Sequence, residues 1–258
     1  MRWRTVAAGS PDEYTVGMRF AACTALILAA CHAGSDDSFP IITGGGDDGV
    51  SRVPDAGGLI DASGDGATSI TGRVCIVFDP RNLTSCSTGD ASGITVTLGR
   101  STTMTALDGS FTIAIPTGSN LVWTATAPDL VPTVMPLRTV HLVPIMTLTR
   151  YSEMLLDHGV VLQAGDGSVF ARVINGNAPI AGAVATVNPP SIYGPLYDGV
   201  SSIVWDQDAT GAGGVVWIPD ALQGTALLSV TAPAVPMAEV VSLPVTEGAI
   251  TFATVAIP

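Results

Sequence analysis

The sequence predicts an all-β protein made of two tandem β-sandwiches, and three observations support this fold class. From residue 69 onward, short runs rich in valine, isoleucine, threonine and leucine alternate with turns rich in glycine, proline and aspartate. This is the pattern of short strands. Long stretches with helical periodicity are absent from the sequence. Turn and strand motifs also recur in the same order in the two halves, which indicates an internal duplication.

The composition argues against two classes of function. All 10 basic residues are arginine, and 22 acidic residues give the 258-residue chain a formal net charge of −12. Such a chain cannot replace the counterions of a phosphate backbone, so we expect no nucleic-acid partner. Three histidines and no lysine leave little material for acid–base or Schiff-base catalysis.

Residues 1–30 are predicted to be a signal peptide, with Met18 as an alternative start that would leave 1–17 untranslated. A positive charge is followed by the apolar run Phe20–Ala30, which is shorter than the roughly 20 residues needed to span a bilayer. The segment Leu28–Cys31 resembles a bacterial lipobox. That resemblance implies that Cys31 becomes the N-terminus and carries the lipid. The alternative is an ordinary secretory signal in which this cysteine is incidental.

Residues 31–68 are predicted to form a disordered acidic tether, because glycine, aspartate and serine dominate and apolar residues are few. An anionic membrane would repel so acidic a protein, so attachment falls to the acyl chains. The run Gly44–Gly49 matches a dinucleotide-binding pattern without the strand and helix that the pattern needs. The nearby aspartates lack a calcium loop's ligand series. We therefore expect no cofactor and no metal, and a lipid-anchored location in the cell envelope, on the outer membrane if the bacterium is Gram-negative.

The first predicted sandwich covers residues 69–148. The run Ile94–Leu98 alternates apolar and polar residues, as a half-buried strand does. Asp108–Gly109 lies between two strand-like runs and predicts a hairpin turn, because glycine adopts a positive φ without strain. The strands expected here are Ile70–Phe78, Ile94–Leu98, Ser110–Ile115, Leu121–Ala127 and His141–Leu148.

A connector at 149–165 leads to the second predicted sandwich at 166–258. The connector holds the one helix candidate, which Thr149 would cap and Gly159 would end. In the second sandwich Gly167 parallels Gly72 of the first. The strands expected in it are Ser168–Ile174, Val184–Asn188, Ile203–Asp206, Gly214–Ile218, Ala226–Ala232, Glu239–Leu243 and Ile250–Ala256.

A set of ordered motifs resembles the carboxypeptidase regulatory-like domain. In the first copy these are Gly-x-Val, Gly-Ile-Thr-Val, the segment Thr105–Phe111, the turn Pro116–Gly118 and a strand ending in Ala-Pro. A looser copy is carried by Ala178–Gly182 and Asp208–Gly213, with an insertion around Ile192–Val204. The resemblance implies an immunoglobulin-like, prealbumin-like β-sandwich of seven strands, usually without catalytic residues of its own.

Two cysteines remain once the predicted signal and the lipidated residue are set aside. Cys75 and Cys86 lie in the first sandwich and should pair in an oxidising compartment. The closed loop would stabilise the fold by about 3 kcal/mol in the chain-entropy model. A two-thiol metal site is the alternative, although no histidine or third cysteine lies nearby in the sequence.

The sequence leaves three functions open. The first is a non-catalytic envelope lipoprotein with a structural or protein-interaction role. The second is carbohydrate binding, in which Trp205, Trp217, Tyr193 and Tyr197 would be exposed together as a sugar-stacking platform. Buried, the same aromatic residues would be ordinary sandwich core. The third is an unrecognised hydrolase that uses Asp206 and Asp208. The partner would accordingly be an envelope protein or a glycan.

Overall fold

The computed structural model describes residues 68–118, 120–137, 141–201, 204–233 and 235–258. The predicted signal peptide, the lipidated Cys31 and the tether up to residue 67 lie outside the described residues. Within them the chain is an all-β protein with one short helix, so the predicted fold class is confirmed. No helix in the described part is long and apolar enough to cross a membrane.

The described part of the chain contains sixteen strands, more than the sequence predicts. The first half contains β1 (Ser69–Ile76), β2 (Thr95–Leu98), β3 (Ser101–Met104), β4 (Ser110–Ala114), β5 (Val122–Thr126), β6 (Leu130–Val131), β7 (Thr133–Pro136) and β8 (Leu142–Thr147). Helix α1 (Leu148–Asp157) follows. The second half contains β9 (Asp166–Asn175), β10 (Ala178–Pro179), β11 (Val184–Asn188), β12 (Leu196–Tyr197), β13 (Val215–Leu222), β14 (Gly224–Ala232), β15 (Val235–Val245) and β16 (Ile250–Ala256).

The two halves repeat one topology. In the first half β1 pairs antiparallel with β4 and parallel with β8, and β5 pairs with β2 and β7. In the second half β9 pairs antiparallel with β13 and parallel with β16, and β14 pairs with β11 and β15. Each half therefore places two sheets face to face, which supports the predicted duplication.

The halves share a sheet. β7 pairs in parallel with β16, with Thr133 opposite Ile250, and this pairing joins the sheets of the two halves in the order β12-β13-β9-β16-β7-β5-β2-β3, with β10 beside β9. All described residues accordingly fall in one compact unit, Ile60–Pro258. We call this nine-stranded sheet the central sheet.

Two hydrophobic cores lie on opposite faces of the central sheet. Trp123 of β5 and Phe170 of β9 belong to the first core, which also contains residues of β1, β4, β8 and α1. Val169 and Ala171 belong to the second core, with residues of β11, β14 and β15. Successive side chains of a strand point to opposite faces, so β9 contributes alternate residues to both cores.

A buried threonine organises the turn before β4 in the first half. The Thr105 hydroxyl donates to Ala91 O at 2.5 Å and accepts from Ile94 N at 3.0 Å. Gly109 has φ +81°, and its carbonyl accepts from Val74 N at 2.8 Å. A Cβ on this glycine would lie 2.5 Å from Val74 O, so the turn requires glycine for both conformation and space.

The second half repeats this network before β13. The Thr210 hydroxyl donates to Ile180 O at 2.7 Å and accepts from Ala183 N at 2.8 Å. Gly214 has φ +66°, and its carbonyl accepts from Val173 N at 2.7 Å. The hydrogen bonds therefore make Val173 the equivalent of Val74 in β1. This alignment is shifted by four residues from the predicted one, in which Gly167 parallels Gly72. The predicted match of Gly72 with Gly167 is wrong, because Gly72 then corresponds to Ala171.

The connecting helix is present, with a different N-cap. Thr147 precedes the helix and its hydroxyl accepts from Arg150 N at 3.2 Å, whereas the predicted cap, Thr149, lies inside the first turn. Gly159 ends the helix as predicted, with φ +63°. The bonds from Gly159 N to Leu156 O and from the next N–H to Leu155 O form a Schellman motif.

Two local predictions are wrong. Val204–Asp206 forms no strand, and the described part of the predicted strand Ile203–Asp206 runs through a loop. The short β12 supplies the edge beside β13 instead. Asp108–Gly109 makes a tight turn, but the flanking strands β3 and β4 pair with β2 and β1 rather than with each other. This turn is therefore a corner between two sheets and not a hairpin.

Candidate functional site

The predicted disulfide is present. Cys75 of β1 and Cys86 are bonded, with their Cα atoms 5.0 Å apart. The bond closes a surface loop that carries Phe78, Asp79 and Arg81. Because both sulfurs are used in this bond, the alternative of a two-thiol metal site does not apply.

The disulfide loop contacts the insertion of the second half through one arginine. Arg81 donates to both carboxylate oxygens of Asp79, at 2.9 Å from Nε and 2.7 Å from Nη2, and to Gly199 O at 3.1 Å from Nη1. Partial burial acts to raise the pKa of the Asp79 carboxyl, but the hydrogen bonds and charge of Arg81 outweigh it and hold that pKa below its usual value. The hydrogen bond to Asp79 in turn raises the pKa of the Arg81 guanidinium.

A buried carboxylate fixes the glycine-rich loop beside this contact. Asp198 is buried, and its oxygens accept from Gly211 N at 2.9 Å, Gly213 N at 2.8 Å and Val215 N at 2.8 Å. A Cβ on Gly213 would lie 2.7 Å from Asp198 Oδ2, so the glycine lets the backbone come close. Arg81, Asp198 and the glycine-rich loop line a cleft of about 280 Å³. The hydrogen bonds of Asp198 in this cleft stabilise the glycine-rich loop.

A second buried carboxylate fixes the loop at the other end of β13. Asp220 accepts from Ile192 N at 2.6 Å, from Tyr193 N at 3.3 Å and from the Ser191 hydroxyl. That hydroxyl in turn accepts from Gly194 N at 2.8 Å. Backbone N–H groups of the loop thus donate to the Asp220 carboxylate and hold the loop against β13. This is a structural role for a carboxylate.

Two turns close to these carboxylates each carry an exposed aliphatic side chain. Ile192 is 82% exposed and Val200 is 96% exposed. Ile192 N itself donates to Asp220. The turn that carries Val200 is closed by the bond from Gly199 N to Val204 O at 2.8 Å, so both aliphatic tips are presented on hydrogen-bonded supports. We call Ile192 and Val200 the loop tips.

The aromatic residues of the proposed sugar platform are mostly buried. Trp205, Trp217 and Tyr197 are at most 6% exposed, and Tyr193 is half-buried. The Trp205 and Trp217 rings lie 5.5 Å apart, and both stand against Phe170. A sugar would need an open ring face, so Trp205, Trp217 and Tyr197 match the alternative in which the aromatic residues are sandwich core.

A hydroxyl chain links the connecting helix to the second half. The Tyr151 hydroxyl lies 2.6 Å from Ser168 Oγ, which donates to Pro219 O at 2.7 Å. Trp217 Nε1 donates to the same serine oxygen at 3.4 Å. Burial raises the pKa of Tyr151 to about 12, so this hydroxyl keeps its proton at neutral pH. The chain is an internal support and holds no ionised group.

The carboxylates of the hydrolase hypothesis do not converge on a cleft. Asp206 and Asp208 are exposed, and the Asp206 carboxylate accepts from the adjacent Gln207 amide at 2.8 Å. Among the described residues, no three histidine, cysteine or acidic side chains lie close enough together to hold a metal ion. The buried carboxylates are instead Asp198 and Asp220, neither of which was singled out from the sequence.

Comparison with known proteins gives no family assignment, because neither a family model nor a curated protein matches the chain.

Proposed function

We propose that this chain is a bacterial envelope lipoprotein, fastened by lipid on Cys31 and displaying its β-sandwich body for a protein-interaction role without catalysis. Two observations support the location: the lipobox-like segment that ends at this cysteine, and the Cys75–Cys86 disulfide, a bond that persists in oxidising compartments. The acidic segment at 31–68 serves as the tether that holds the body away from the membrane.

The observation that carries the interaction role is the pair of rigid loop tips. Ile192 N donates to the buried Asp220 at 2.6 Å. The turn that carries Val200 follows the buried Asp198 and is closed by the bond from Gly199 N to Val204 O at 2.8 Å. A loop that is ordered before binding loses less conformational entropy when a partner binds. Exposed aliphatic groups on such supports suit a partner with apolar surface.

Palmitate labelling tests the anchor. In cells that express the full chain with Cys31→Ser, we expect loss of the acyl label and release of the protein from the membrane fraction. The matched control is Cys23→Ser, which removes the other cysteine of the apolar run and should keep the label. Unchanged labelling in the Cys31 variant would contradict the lipoprotein assignment.

Crosslinking in intact cells tests the interaction role. Ile192→Asp and Val200→Asp should each remove crosslinked species that the unchanged chain forms, because a charge at the tip opposes apolar contact. Leu107→Asp is the control, since Leu107 is 70% exposed and lies in the first half. Identical crosslinks in all three variants would remove the loop tips from the proposal, provided that circular dichroism shows an unchanged fold.

A further inference from the structure

A groove runs along the end of the central sheet, away from the loop tips. A cavity of about 650 Å³ adjoins one of about 450 Å³, and both are lined by Gly118 and Leu121. They meet where the β2–β3 turn, the β4–β5 connection and the end of β7 approach the β14–β15 pair. We call the two joined cavities the end groove.

The lining of the end groove is aliphatic with a few hydrogen-bonding groups. Leu121, Val122, Pro136, Leu137 and Pro244 supply the apolar surface. Thr225, Ser242 and Asn120, which carry hydroxyl and amide groups, also line the cavity. No aromatic ring lines either cavity in the described part of the chain, so a sugar or a base finds no stacking surface. Hydroxyl and amide groups beside aliphatic ones suit a peptide backbone with small apolar side chains.

One cation lies at the end of this groove. Arg100 is the only charged side chain among the described residues that line the two cavities. It is exposed, and its guanidinium has no hydrogen-bond or ion-pair partner within the described ranges. It occupies a two-residue turn between Leu98 and Ser101, which pair with each other, and Gly99 beside it has φ +58°. The tight turn fixes the position of the arginine backbone.

We propose that the end groove binds an extended aliphatic peptide segment that bears one carboxylate, and that Arg100 receives this carboxylate. An unpaired guanidinium forms strong charge-assisted hydrogen bonds with a carboxylate. The net charge of −12 opposes a partner with many negative charges, whereas a single carboxylate beside the arginine is attracted. This inference rests on the proposed interaction role and names a partner class for a second surface.

The experiment uses the full chain in detergent and two degenerate hexapeptide libraries of valine, leucine, alanine, proline and serine. One library ends in a free carboxylate and the other in an amide. Peptides retained by the protein are separated by size and quantified by mass spectrometry. We expect the carboxylate library to be retained about threefold better than the amide library, because the arginine that receives the carboxylate is exposed to solvent.

Two pairs of variants locate the binding. Arg100→Gln should abolish the preference for carboxylate, whereas Arg73→Gln, on β1 and outside the groove lining, should keep it. Ser242→Trp fills the groove and should abolish retention, whereas Thr231→Trp, at an exposed β14 position, should not. Circular dichroism checks that each variant is folded.

Every outcome bears on the proposal. Retention of neither library by the unchanged chain overturns it, and so does a carboxylate preference that survives Arg100→Gln. Retention that survives a folded Ser242→Trp variant places binding elsewhere and also overturns it. None of these results affects the palmitate or crosslinking tests, so failure of the end groove is distinguishable from failure of the proposed function.

Discussion

The two halves of the molecule differ most clearly at one equivalent pair of positions. In the first half Thr71 of β1 stands opposite Thr112 of β4, and their hydroxyls lie 3.5 Å apart on an exposed surface. In the second half the same topological positions hold Phe170 of β9 and Trp217 of β13. Their rings stack with centroids 5.5 Å apart and are buried.

This difference shows how two copies of one sandwich become a single body. Threonine suits the outer face of a sheet that meets water, whereas a phenylalanine and a tryptophan there need a cover. The helix supplies part of the cover, with the His158 ring 5.4 Å from Trp217, and the insertion supplies Trp205. The outer face of the second half is thereby the wall of the first core.

Replacing Trp217 by threonine, which the first half has at this position, should have the largest effect on the comparison. The variant leaves a cavity in the first core, and we expect it to lose about 3–5 kcal/mol of unfolding free energy. Urea denaturation followed by circular dichroism measures the change. The matched variant Thr112→Ala lies on the exposed face and should stay within about 0.5 kcal/mol. Equal losses for the two variants would refute the assignment of different roles.

The disulfide is a second difference between the halves, since the bonded pair lies entirely in the first half. The double variant Cys75→Ala/Cys86→Ala should lose about 3 kcal/mol, because the unfolded chain regains the entropy of the opened loop. Reducing agent should destabilise the unchanged chain similarly and leave the double variant unaffected. A double variant as stable as the unchanged chain would show that the bond contributes nothing.

Tyr151 tests the link between the helix and the second half. Tyr151→Phe removes the hydroxyl that lies 2.6 Å from Ser168 Oγ, and we expect a loss of about 1 kcal/mol in the same urea assay. Tyr193→Phe is the control, because this half-buried ring lies on the insertion rather than in the interface. If Tyr151→Phe and Tyr193→Phe lose the same unfolding free energy, the Tyr151 hydroxyl does not stabilise the contact between the helix and the second half.

The smallest expected effect concerns Asp79 and pH. Its folded-state pKa lies below the usual value, so its contribution is present above the unfolded pKa of about 3.9 and is lost as pH falls through the folded pKa. Because the pair with Arg81 is partly exposed, we expect less than about 1 kcal/mol. The stability difference between the unchanged chain and Asp79→Asn should therefore shrink from neutral pH to about pH 3. A constant difference would contradict the ion pair's role.

Strand positions were largely predictable, because alternation of apolar and polar residues reports a local property of the chain. Val184–Asn188 was predicted with the bounds that the structure has, and the turn glycines Gly93 and Gly182 both have positive φ. The two-residue strands β6, β10 and β12 were missed, because such short strands carry no periodic signal. The four-residue strands β3 and β7 were missed as well, because their apolar and polar residues do not alternate. The false strand at Ile203–Asp206 was apolar for another reason: Trp205 fills the first core from a loop.

The candidate site was less predictable than the fold. Cys75 and Cys86 could be paired from their number and compartment alone, and the structure confirms the pair. Asp198 and Asp220 gave no signal, because an aspartate beside a glycine or within a strand is ordinary in sequence. Their importance comes from burial and from hydrogen bonds that distant residues donate. The N–H donors to Asp198 lie 13 to 17 positions away, and the N–H and hydroxyl donors to Asp220 lie 27 to 29 positions away.

By itself the sequence determined the all-β class and the cysteine pair, since each follows from local patterns or from composition. Only the tertiary structure decided that β7 and β16 pair and that Phe170 and Trp217 face a core rather than water. Both features depend on long-range packing. Burying an aromatic face contributes more free energy than the local conformational preferences of the chain.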